Sequence, residues 1–241
     1  MDSYIDIHSH ILPGLDDGSE NFEMSLRMLR QAAEDHIEEI ILTPHYKPMR
    51  RNLPPEKVRQ AFRELEARAE EAGIPIRLHL GSEIYYSSEA LAALRDGNAL
   101  TIAGTSYVLV EFSPREDHAY IRDAAYSLLS EGYLPILAHV ERYGSLMSKK
   151  TRVEALYDMG CYIQVNAASI TGANGRESRQ DVKQLLKKEL VHFAATDSHD
   201  DRNRMPVLSG AAAYVAKKYG EGYCGRLFGG NADVLLGGGY L

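Results

Sequence analysis

Short apolar runs alternate with amphipathic segments along most of the chain. Ile5 and Ile7 alternate with Tyr4 and Asp6, which predicts a short strand. Residues 21 to 36 carry apolar side chains at helical spacing, with Ser19 or alternatively Asn21 as the N-cap. Further strands are predicted at 40 to 43, 76 to 80, 107 to 112, 134 to 138, 161 to 165 and 191 to 195, and further helices at 55 to 72, 117 to 131, 150 to 159, 178 to 188 and over most of the chain from about 206.

This alternation amounts to about seven β/α units. Strands that alternate with helices form a parallel sheet with right-handed crossovers, and at 241 residues a closed or nearly closed barrel is the economical arrangement. We therefore expect an α/β fold, a distorted TIM-like barrel, with residues 1–241 forming a single domain.

Composition narrows the classes of partner and compartment. A net charge of -7 without an acidic or basic tail argues against a nucleic-acid partner, because phosphate backbones attract basic surfaces. Cys161 and Cys224 are isolated, which fits a reducing compartment, and we expect a cytoplasmic protein. The N-terminus carries Asp2 and Asp6 instead of a basic leader, and no apolar stretch approaches the ~20 residues of a membrane span. We expect no membrane insertion.

Potential metal ligands stand where the predicted strands end. His8 and His10 are two residues apart on one strand, so their side chains project from the same face. In a barrel of parallel strands the carboxyl ends meet at one mouth, so ligands scattered along the sequence converge. The sequence therefore predicts a polynuclear metal site. Its candidate ligands are His8, His10, Asp17, His45, Glu83, Glu111, His139, Asp197 and His199.

The ligand set indicates the kind of metal and substrate. Imidazoles and carboxylates without cysteine favour Mn, Fe or Zn. Five neutral histidines and four carboxylates carry about -4, so three divalent ions would leave about +2, or about +1 with a bridging hydroxide. Such a cluster attracts an anion, and phosphate fits. Arg142 and Arg204 follow two of the ligands closely and could bind phosphoryl oxygens, although either could equally be a surface arginine.

Several stretches resemble the PHP (polymerase and histidinol phosphatase) superfamily, and within it the bacterial manganese-dependent protein-tyrosine phosphatases of capsule and exopolysaccharide operons. The similarity runs through nearly the whole chain. Its stretches are Ile-Asp-Ile-His-Ser-His-Ile-Leu-Pro-Gly-Leu-Asp-Asp-Gly-Ser from Ile5, Thr43-Pro44-His45, Gly81-Ser82-Glu83-Ile84, Glu111-Phe112, Ala138-His139-Val140-Glu141-Arg142-Tyr143, Gln164-Val165-Asn166-Ala167 and Thr196-Asp197-Ser198-His199.

The resemblance implies the PHP fold, a trinuclear metal centre held by the nine candidate ligands, and catalytic roles for Arg142 and Arg204. It also implies three divalent ions, with Mn favoured over Fe or Zn, and a phosphotyrosine protein as substrate, the tail of a bacterial autophosphorylating tyrosine kinase. We therefore expect a metal-dependent protein-tyrosine phosphatase in which a metal-bridging hydroxide attacks phosphorus. A metal-bound water or His199 would protonate the leaving oxygen.

Three other functions stay open at this point. A small-molecule phosphatase of the histidinol-phosphate kind and a PHP nuclease would use the same cluster, and an inactive metal-binding scaffold would need neither arginine. A cysteine phosphatase is excluded, because such enzymes need an arginine six residues after the thiolate. The residues at that distance are Ala167 after Cys161 and Gly230 after Cys224.

Some charged residues fall outside the motifs. His36, His79, His118 and His192 have ordinary explanations at helix ends, strand edges or loops, and we expect none of them to bind metal. The loop 45 to 55 is unusually basic and rich in proline, which makes it a candidate lid over the site. Roles for Lys47, Arg50 or Arg51 do not follow from the resemblance.

Overall fold

A computed structural model describes residues 3–48 and 52–241. Its strands are β1 Tyr4–Ser9, β2 Ile37–Leu42, β3 His45–Tyr46, β4 Arg77–Leu80, β5 Glu83–Tyr85, β6 Tyr107–Glu111, β7 Leu134–Leu137, β8 Tyr162–Asn166 and β9 Phe193–Ala195. Its α-helices are α1 Phe22–Glu34, α2 Pro55–Glu71, α3 Ala90–Arg95, α4 His118–Ser130, α5 Gly144–Met147, α6 Thr151–Asp158, α7 Ala167–Thr171, α8 Arg176–Lys187, α9 Ser209–Tyr219, α10 Glu221–Gly225 and α11 Asn231–Leu236.

All of the paired strands are parallel. One sheet has the order β1-β2-β4 and the other has the order β3-β5-β6-β7-β8-β9. The alternation of apolar runs with amphipathic segments thus correctly predicted a parallel α/β fold. Each predicted strand and helix lies within a few residues of an observed one.

Two short strands and three short helices escaped prediction, because β3, β5, α3, α5 and α7 are too short to show a periodicity. β3 and β5 also correct the placement of two candidate ligands. The strands β2 and β4 end at Leu42 and Leu80, and the chain then crosses into the other sheet. His45 and Glu83 therefore begin new strands rather than following the ends of long ones.

The N-cap of α1 is Asn21, whose side-chain oxygen accepts the Met24 backbone N–H at 3.0 Å. The expectation for Ser19 is wrong. The Ser19 hydroxyl is buried and lies 2.8 Å from the hydroxyl of Ser25, so it ties the preceding loop to the helix. Both residues are good N-caps by type, and only the position of the first helical turn decides between them.

The two sheets curl until the first strand reaches the last. Ser9 forms a parallel bridge with Ser198, and the Asp197 backbone N–H donates to the carbonyl of His8 at 2.9 Å. The buried Asp6 carboxylate accepts the backbone N–H of Thr196 at 3.0 Å and the Thr196 hydroxyl. These contacts bring the two His/Asp-containing segments, one at each end of the chain, to the same place.

The two faces of the curled sheet pack into separate cores. Ile40 and Leu42 of β2 belong to a large cluster that includes Met28 of α1. Ile41, between them, belongs to a smaller cluster with Leu109, and this cluster includes residues of α11. Alternating side chains of one strand therefore face the helices and the interior of the curl, as period-two geometry requires. No helix of the described chain is both long and apolar enough to cross a bilayer.

His192 links the last two strands through a neutral imidazole. Its Nδ1 accepts the backbone N–H of Ile163 at 3.0 Å, and its ring stacks on Tyr157 with centroids 4.8 Å apart. Burial lowers the pKa of His192 from 6.5 to about 4. A protonated Nδ1 could not accept that hydrogen bond. Protonation of His192 would therefore break this link between β8 and β9.

We predict that His192 makes the free energy of unfolding fall as the pH drops from 6.5 towards 4. The unfolded chain binds a proton in this window and the folded chain does not, so stability is lost on the acid side. Between pH 7 and pH 5 the loss from this group is about 2 kcal/mol. In His192→Asn the amide oxygen can accept the Ile163 N–H without titrating, so the variant should lose less.

Urea unfolding of both proteins in EDTA, at both pH values, measures the difference without a contribution from bound metal. His36→Asn is the matched control, because His36 is exposed and its φ of 65° suits asparagine. Identical pH dependence in the parent and His192→Asn would refute the assignment.

Candidate metal centre

The candidate ligands converge at one mouth of the curled sheet. Within the described chain, His, Asp and Glu donor atoms form four overlapping groups, each with its atoms within 4.8 Å of one another. The groups are His10, Asp17, His45 and His199; His8, His10 and Asp197; His8, Glu83 and His139; and His45, Glu83 and Glu111. All nine candidates from the sequence are in this set, and His36, His79, His118 and His192 are not.

Four donor atoms lie close together in the most buried part of the site. His8 Nε2 lies 3.2 Å from His10 Nε2, and these two nitrogens lie 3.3 and 3.2 Å from Glu83 Oε2. Both nitrogens lie 3.5 Å from Asp197 Oδ1. Ligands about 2.1 Å from a four-coordinate ion stand about 3.4 Å apart, so His8 and His10 could share one cation with either carboxylate.

Glu83 connects this group to a second one. Its Oε1 lies 2.8 Å from His139 Nε2, and its Oε2 lies 3.0 Å from His45 Nδ1. His45 Nδ1 is also 3.0 Å from Glu111 Oε1. Yet Glu83 Oε2 and His45 Nδ1 are buried without a hydrogen-bond partner among the described residues. Buried polar atoms need a partner, and a cation between them would satisfy both.

Asp17 forms the solvent-facing side of the site. Its Oδ1 lies 3.4 Å from His45 Nε2 and 3.7 Å from His199 Nε2, and its side chain is 70% exposed. The rings of His10 and His199 lie 4.0 Å apart at their centroids. The candidate ligands therefore range from fully buried residues to the solvent-exposed Asp17.

Burial and neighbouring charges shift the pKa values of the site residues in opposite directions. Burial alone would raise the pKa of Glu83, but His8, His10 and the other imidazoles outweigh it and hold that pKa well below its usual range. Burial alone would lower the pKa of His45, but Glu111 and Glu83 raise it to about 9. Protons on the imidazoles therefore balance the carboxylates, and a metal ion must displace them, so metal affinity falls with falling pH.

Buried amides orient several ligands at once. Gln164 Oε1 lies 3.2 Å from His8 Nδ1 and accepts the His139 backbone N–H at 2.7 Å. Its Nε2 donates to Asn166 Oδ1 at 3.0 Å, and Asn166 Nδ2 donates to Asp197 Oδ2 at 2.8 Å. With a proton on His8 Nδ1, its Nε2 presents a lone pair to the site. The sequence motif contained both amides without indicating this role.

Asp16 orients a further pair of ligands. Its Oδ2 lies 2.8 Å from His10 Nδ1 and accepts the backbone N–H of His45 at 2.9 Å. Although burial opposes ionisation, these hydrogen bonds lower the pKa of Asp16 to about 2. The tight turn needs Gly18, because a Cβ there would lie 2.1 Å from the carbonyl oxygen of His10. Sequence alone cannot tell Asp16 from its neighbour Asp17, since both are carboxylates in one turn.

Two ligands have unusual backbone conformations. His139 has a φ of 32° and Asp197 has a φ of 52°, both in the left-handed region that residues other than glycine rarely occupy. Such strain persists where the surrounding structure fixes it, often at functional sites. No sequence signal marks these two positions.

The two candidate arginines lie beside Asp197. Arg204 Nη2 donates to Asp197 Oδ2 at 2.8 Å and to its carbonyl oxygen at 3.0 Å, whereas Arg142 Nη1 lies 3.9 Å from Oδ2. Both side chains are about half exposed and line a cavity of 220 Å³ that also contains His45, Glu83 and His199. The guanidinium groups thus border the cavity where the ligands meet.

His199 suits the role of a ligand better than that of a proton donor. Burial, followed by the charge of His10, lowers its pKa to about 4, so the imidazole is neutral at neutral pH. Its Nδ1 lies 2.9 Å from the carbonyl oxygen of Asp197, which directs Nε2 towards Asp17. The catalytic role expected for His199 in protonating the leaving oxygen stays a prediction.

Two further expectations concern the loop and the thiols. Lys47 lines the 220 Å³ cavity, but Arg50 and Arg51 of the candidate lid lie outside the described residues. Cys161 and Cys224 are both buried, and burial raises the pKa of Cys161 to about 12. A thiol with that pKa is a poor nucleophile at neutral pH, which agrees with the exclusion of a cysteine phosphatase.

Known proteins are similar to this chain in both sequence and fold. Tyrosine-protein phosphatase CpsB of Streptococcus pneumoniae is 32% identical over 237 residues, covering 96% of this chain and 98% of that protein. A structure from work on YwqE of Bacillus subtilis and CpsB of Streptococcus pneumoniae, described as unique metal-dependent tyrosine phosphatases, superposes with a TM-score of 0.93. It is 30% identical and covers 98% of this chain and 96% of its own.

A more distant structure shares the fold alone. Histidinol phosphate phosphatase from Lactococcus lactis superposes with a TM-score of 0.60 at 14% identity, covering 89% of this chain and 93% of its own. The sequence model of the family described as "Capsular polysaccharide synthesis, CpsB/CapC" matches residues 4–237. The resemblance to bacterial tyrosine phosphatases of capsule synthesis is thereby confirmed, and the chain belongs to the CpsB/CapC family.

Proposed function

We propose that this protein is a metal-dependent protein-tyrosine phosphatase acting on a phosphotyrosine protein in capsule or exopolysaccharide synthesis. One observation carries the proposal: nine candidate metal ligands cluster together, and seven of them line a cavity bordered by two arginines, in a chain whose relatives are named tyrosine phosphatases. The tail of a bacterial autophosphorylating tyrosine kinase is the proposed substrate. The cytoplasmic location expected from the sequence stays a prediction.

The overall architecture belongs to the same proposal. We count β3 and β5 as continuations of the units begun by β2 and β4, which leaves about seven β/α units in a distorted barrel. Residues 1–241 would then form one metallophosphatase domain. Contacts between β1 and the segment that follows β9 support the barrel-like arrangement, because they join the first unit to the last.

The centre is proposed to hold three divalent ions, with Mn favoured and Fe or Zn as alternatives. The overlap of the four ligand groups through His8, His10, His45 and Glu83 supports neighbouring ions that share ligands. Bound ions would supply an acidified water as the nucleophile and would neutralise phosphoryl oxygens. His, Asp and Glu donors without thiolate suit all three metals.

The protein's own side chains would bind and orient the phosphoryl group. Arg142 is the better placed arginine, because Asp197 lies 3.9 Å away and leaves its guanidinium free to form charge-assisted hydrogen bonds. Arg204 is already bound to Asp197 through two contacts, so it would both hold this ligand and face the phosphoryl group. A phenolate with a pKa of about 10 needs less help from an acid than an alkoxide does.

A small-molecule phosphatase is the second candidate, since histidinol phosphate phosphatase has the same fold. A PHP nuclease or an inactive scaffold would also need metal ligands. The 32% sequence identity with a tyrosine-protein phosphatase over nearly the full chain favours the first proposal over these three alternatives.

Substrate and metal can be tested together. After chelation, we expect Mn²⁺ to restore hydrolysis of a phosphotyrosine peptide well above that of histidinol phosphate or a nucleoside monophosphate. Thiol alkylation should leave the rate unchanged, because both cysteines are buried and have raised pKa values. Steady-state rates with each substrate give the answer. Preference for histidinol phosphate, turnover that survives complete chelation, or no turnover at all would each reject the proposal.

Arg142→Ala should lower kcat by about 10²- to 10³-fold with metal content unchanged, because it removes a donor to oxygens whose charge grows during attack. Arg142→Lys should recover only part of this rate, since an ammonium lacks the planar fork of a guanidinium. Arg204→Ala should weaken metal binding as well, because it also releases Asp197.

Kinetics of metal-saturated variants, together with elemental analysis, separate these effects. Arg202→Ala is the matched control, since its side chain lies in the same loop as Arg204 and is 84% exposed. A kcat for Arg142→Ala within about threefold of the parent, under ~0.7 kcal/mol, would exclude a catalytic role for this arginine.

Gln164→Leu should weaken metal affinity about 10- to 100-fold, because His8 Nδ1 and the His139 N–H both lose their acceptor. Gln164→Glu keeps the acceptor and should lose less affinity. Competition with a chromophoric chelator measures the affinity, and unfolding in EDTA checks that each variant is folded. Gln180→Leu, at an exposed position of α8, is the control. Unchanged affinity in Gln164→Leu would show that the amide does not position the ligands.

A further inference from the structure

A second and larger cavity adjoins the metal centre. It has a volume of about 570 Å³, compared with 220 Å³ for the cavity that contains the ligands. The two cavities share Arg142, Asp197 and Arg204 as lining residues. A molecule whose phosphoryl group lies between the arginines could therefore extend into the second cavity without crossing protein. A volume of this size falls in the range of specific ligand pockets.

Four segments of the chain supply most of the lining of this second cavity. They are the stretch from Asn166 through α7 to Asn174, the first turn of α8, the loop 203–207, and the first turn of α9. Besides the three shared residues, its lining consists of Asn166, Ala167, Ala168, Ser169, Thr171, Ala173, Asn174, Ser178, Thr196, Asn203, Met205, Val207, Gly210 and Ala211.

These additional lining residues are all uncharged. They offer methyl groups together with amides and hydroxyls. Such a surface can contact apolar side chains of a bound polypeptide and form hydrogen bonds with its backbone. Met205 is 41% exposed and Val207 is 40% exposed. Two apolar side chains are therefore accessible to solvent beside the candidate metal centre. Exposed apolar surface at such a position favours a binding role.

The lining also argues against other classes of occupant. None of the described residues that line the cavity is aromatic, so a nucleobase would find no ring on which to stack. Beyond the two arginines at its edge, the described lining supplies no cation for a second phosphate or for an acidic side chain. An uncharged segment with an apolar side chain suits these surroundings.

We infer that this second cavity is a specificity subsite for the uncharged, apolar residues that flank the phosphotyrosine in the protein substrate. This inference depends on the proposed phosphatase activity and goes beyond it, because it assigns sequence selectivity to residues that bind neither metal nor phosphate. Binding energy from the flanking residues would lower KM for a peptide relative to free phosphotyrosine.

The test compares free phosphotyrosine with three phosphopeptides whose flanking residues are leucine, alanine or glutamate. The Mn²⁺-loaded full-length protein should show the highest kcat/KM with the leucine peptide. Ala173→Phe fills part of the cavity, and it should reduce the ratio of kcat/KM for this peptide to that for free phosphotyrosine about tenfold. The change should arise in KM, since the interaction is the same in ground and transition states.

Two further variants keep the test decisive. Met205→Ala truncates an exposed side chain and should reduce the same ratio by about threefold even if Ala173→Phe folds poorly. Ala213→Phe is the matched control, because Ala213 is an exposed position of α9 that does not line the cavity. We expect its ratio to equal that of the parent.

The results distinguish the two proposals. Hydrolysis of free phosphotyrosine with equal kcat/KM for all three peptides, or a ratio unchanged in both cavity variants, would overturn the subsite and leave the phosphatase activity intact. A parent protein that hydrolyses neither free phosphotyrosine nor any of the peptides would overturn both.

Discussion

The junction between the first strand and the last is the interaction on which the site depends. Asp6 and Thr196 are 190 residues apart in sequence, yet the Asp6 carboxylate accepts both the backbone N–H and the hydroxyl of Thr196. The candidate ligand His8 lies two residues after Asp6, and the candidate ligands Asp197 and His199 lie one and three residues after Thr196. Without this junction, the imidazoles of the N-terminal strand would face no carboxylate from the other end of the chain.

Around that junction, the site is built from groups that each serve two ligands. Glu83 contacts His8 and His139 through different oxygens, Gln164 binds both of these histidines, and Asp16 binds His10 and the backbone of His45. A side chain that contacts two candidate ligands constrains their positions relative to each other, in addition to the constraint from the backbone. Asp16 and Gln164 are not candidate ligands, yet their hydrogen bonds orient the histidines that are.

The sequence contained enough information to predict the parallel fold and the clustering of the candidate ligands, because both depend on regular features. Strand periodicity is local, and the convergence of strand ends in a parallel sheet is a general rule that needs no side-chain detail. The orienting roles of Asp16 and Gln164 could not be predicted, since they depend on which carboxylate or amide turns inward. The left-handed backbones of His139 and Asp197, and the larger cavity beside the arginines, arise only from three-dimensional packing.

The distance in sequence between the two halves of the centre has a consequence for the protein's synthesis. Asp197 and His199 are added to the growing chain about 190 residues after His8 and His10. At about 5–20 residues per second, the early histidines wait roughly 10–40 s for their partners. The nascent chain therefore cannot assemble the complete proposed centre until Asp197 and His199 have been synthesised.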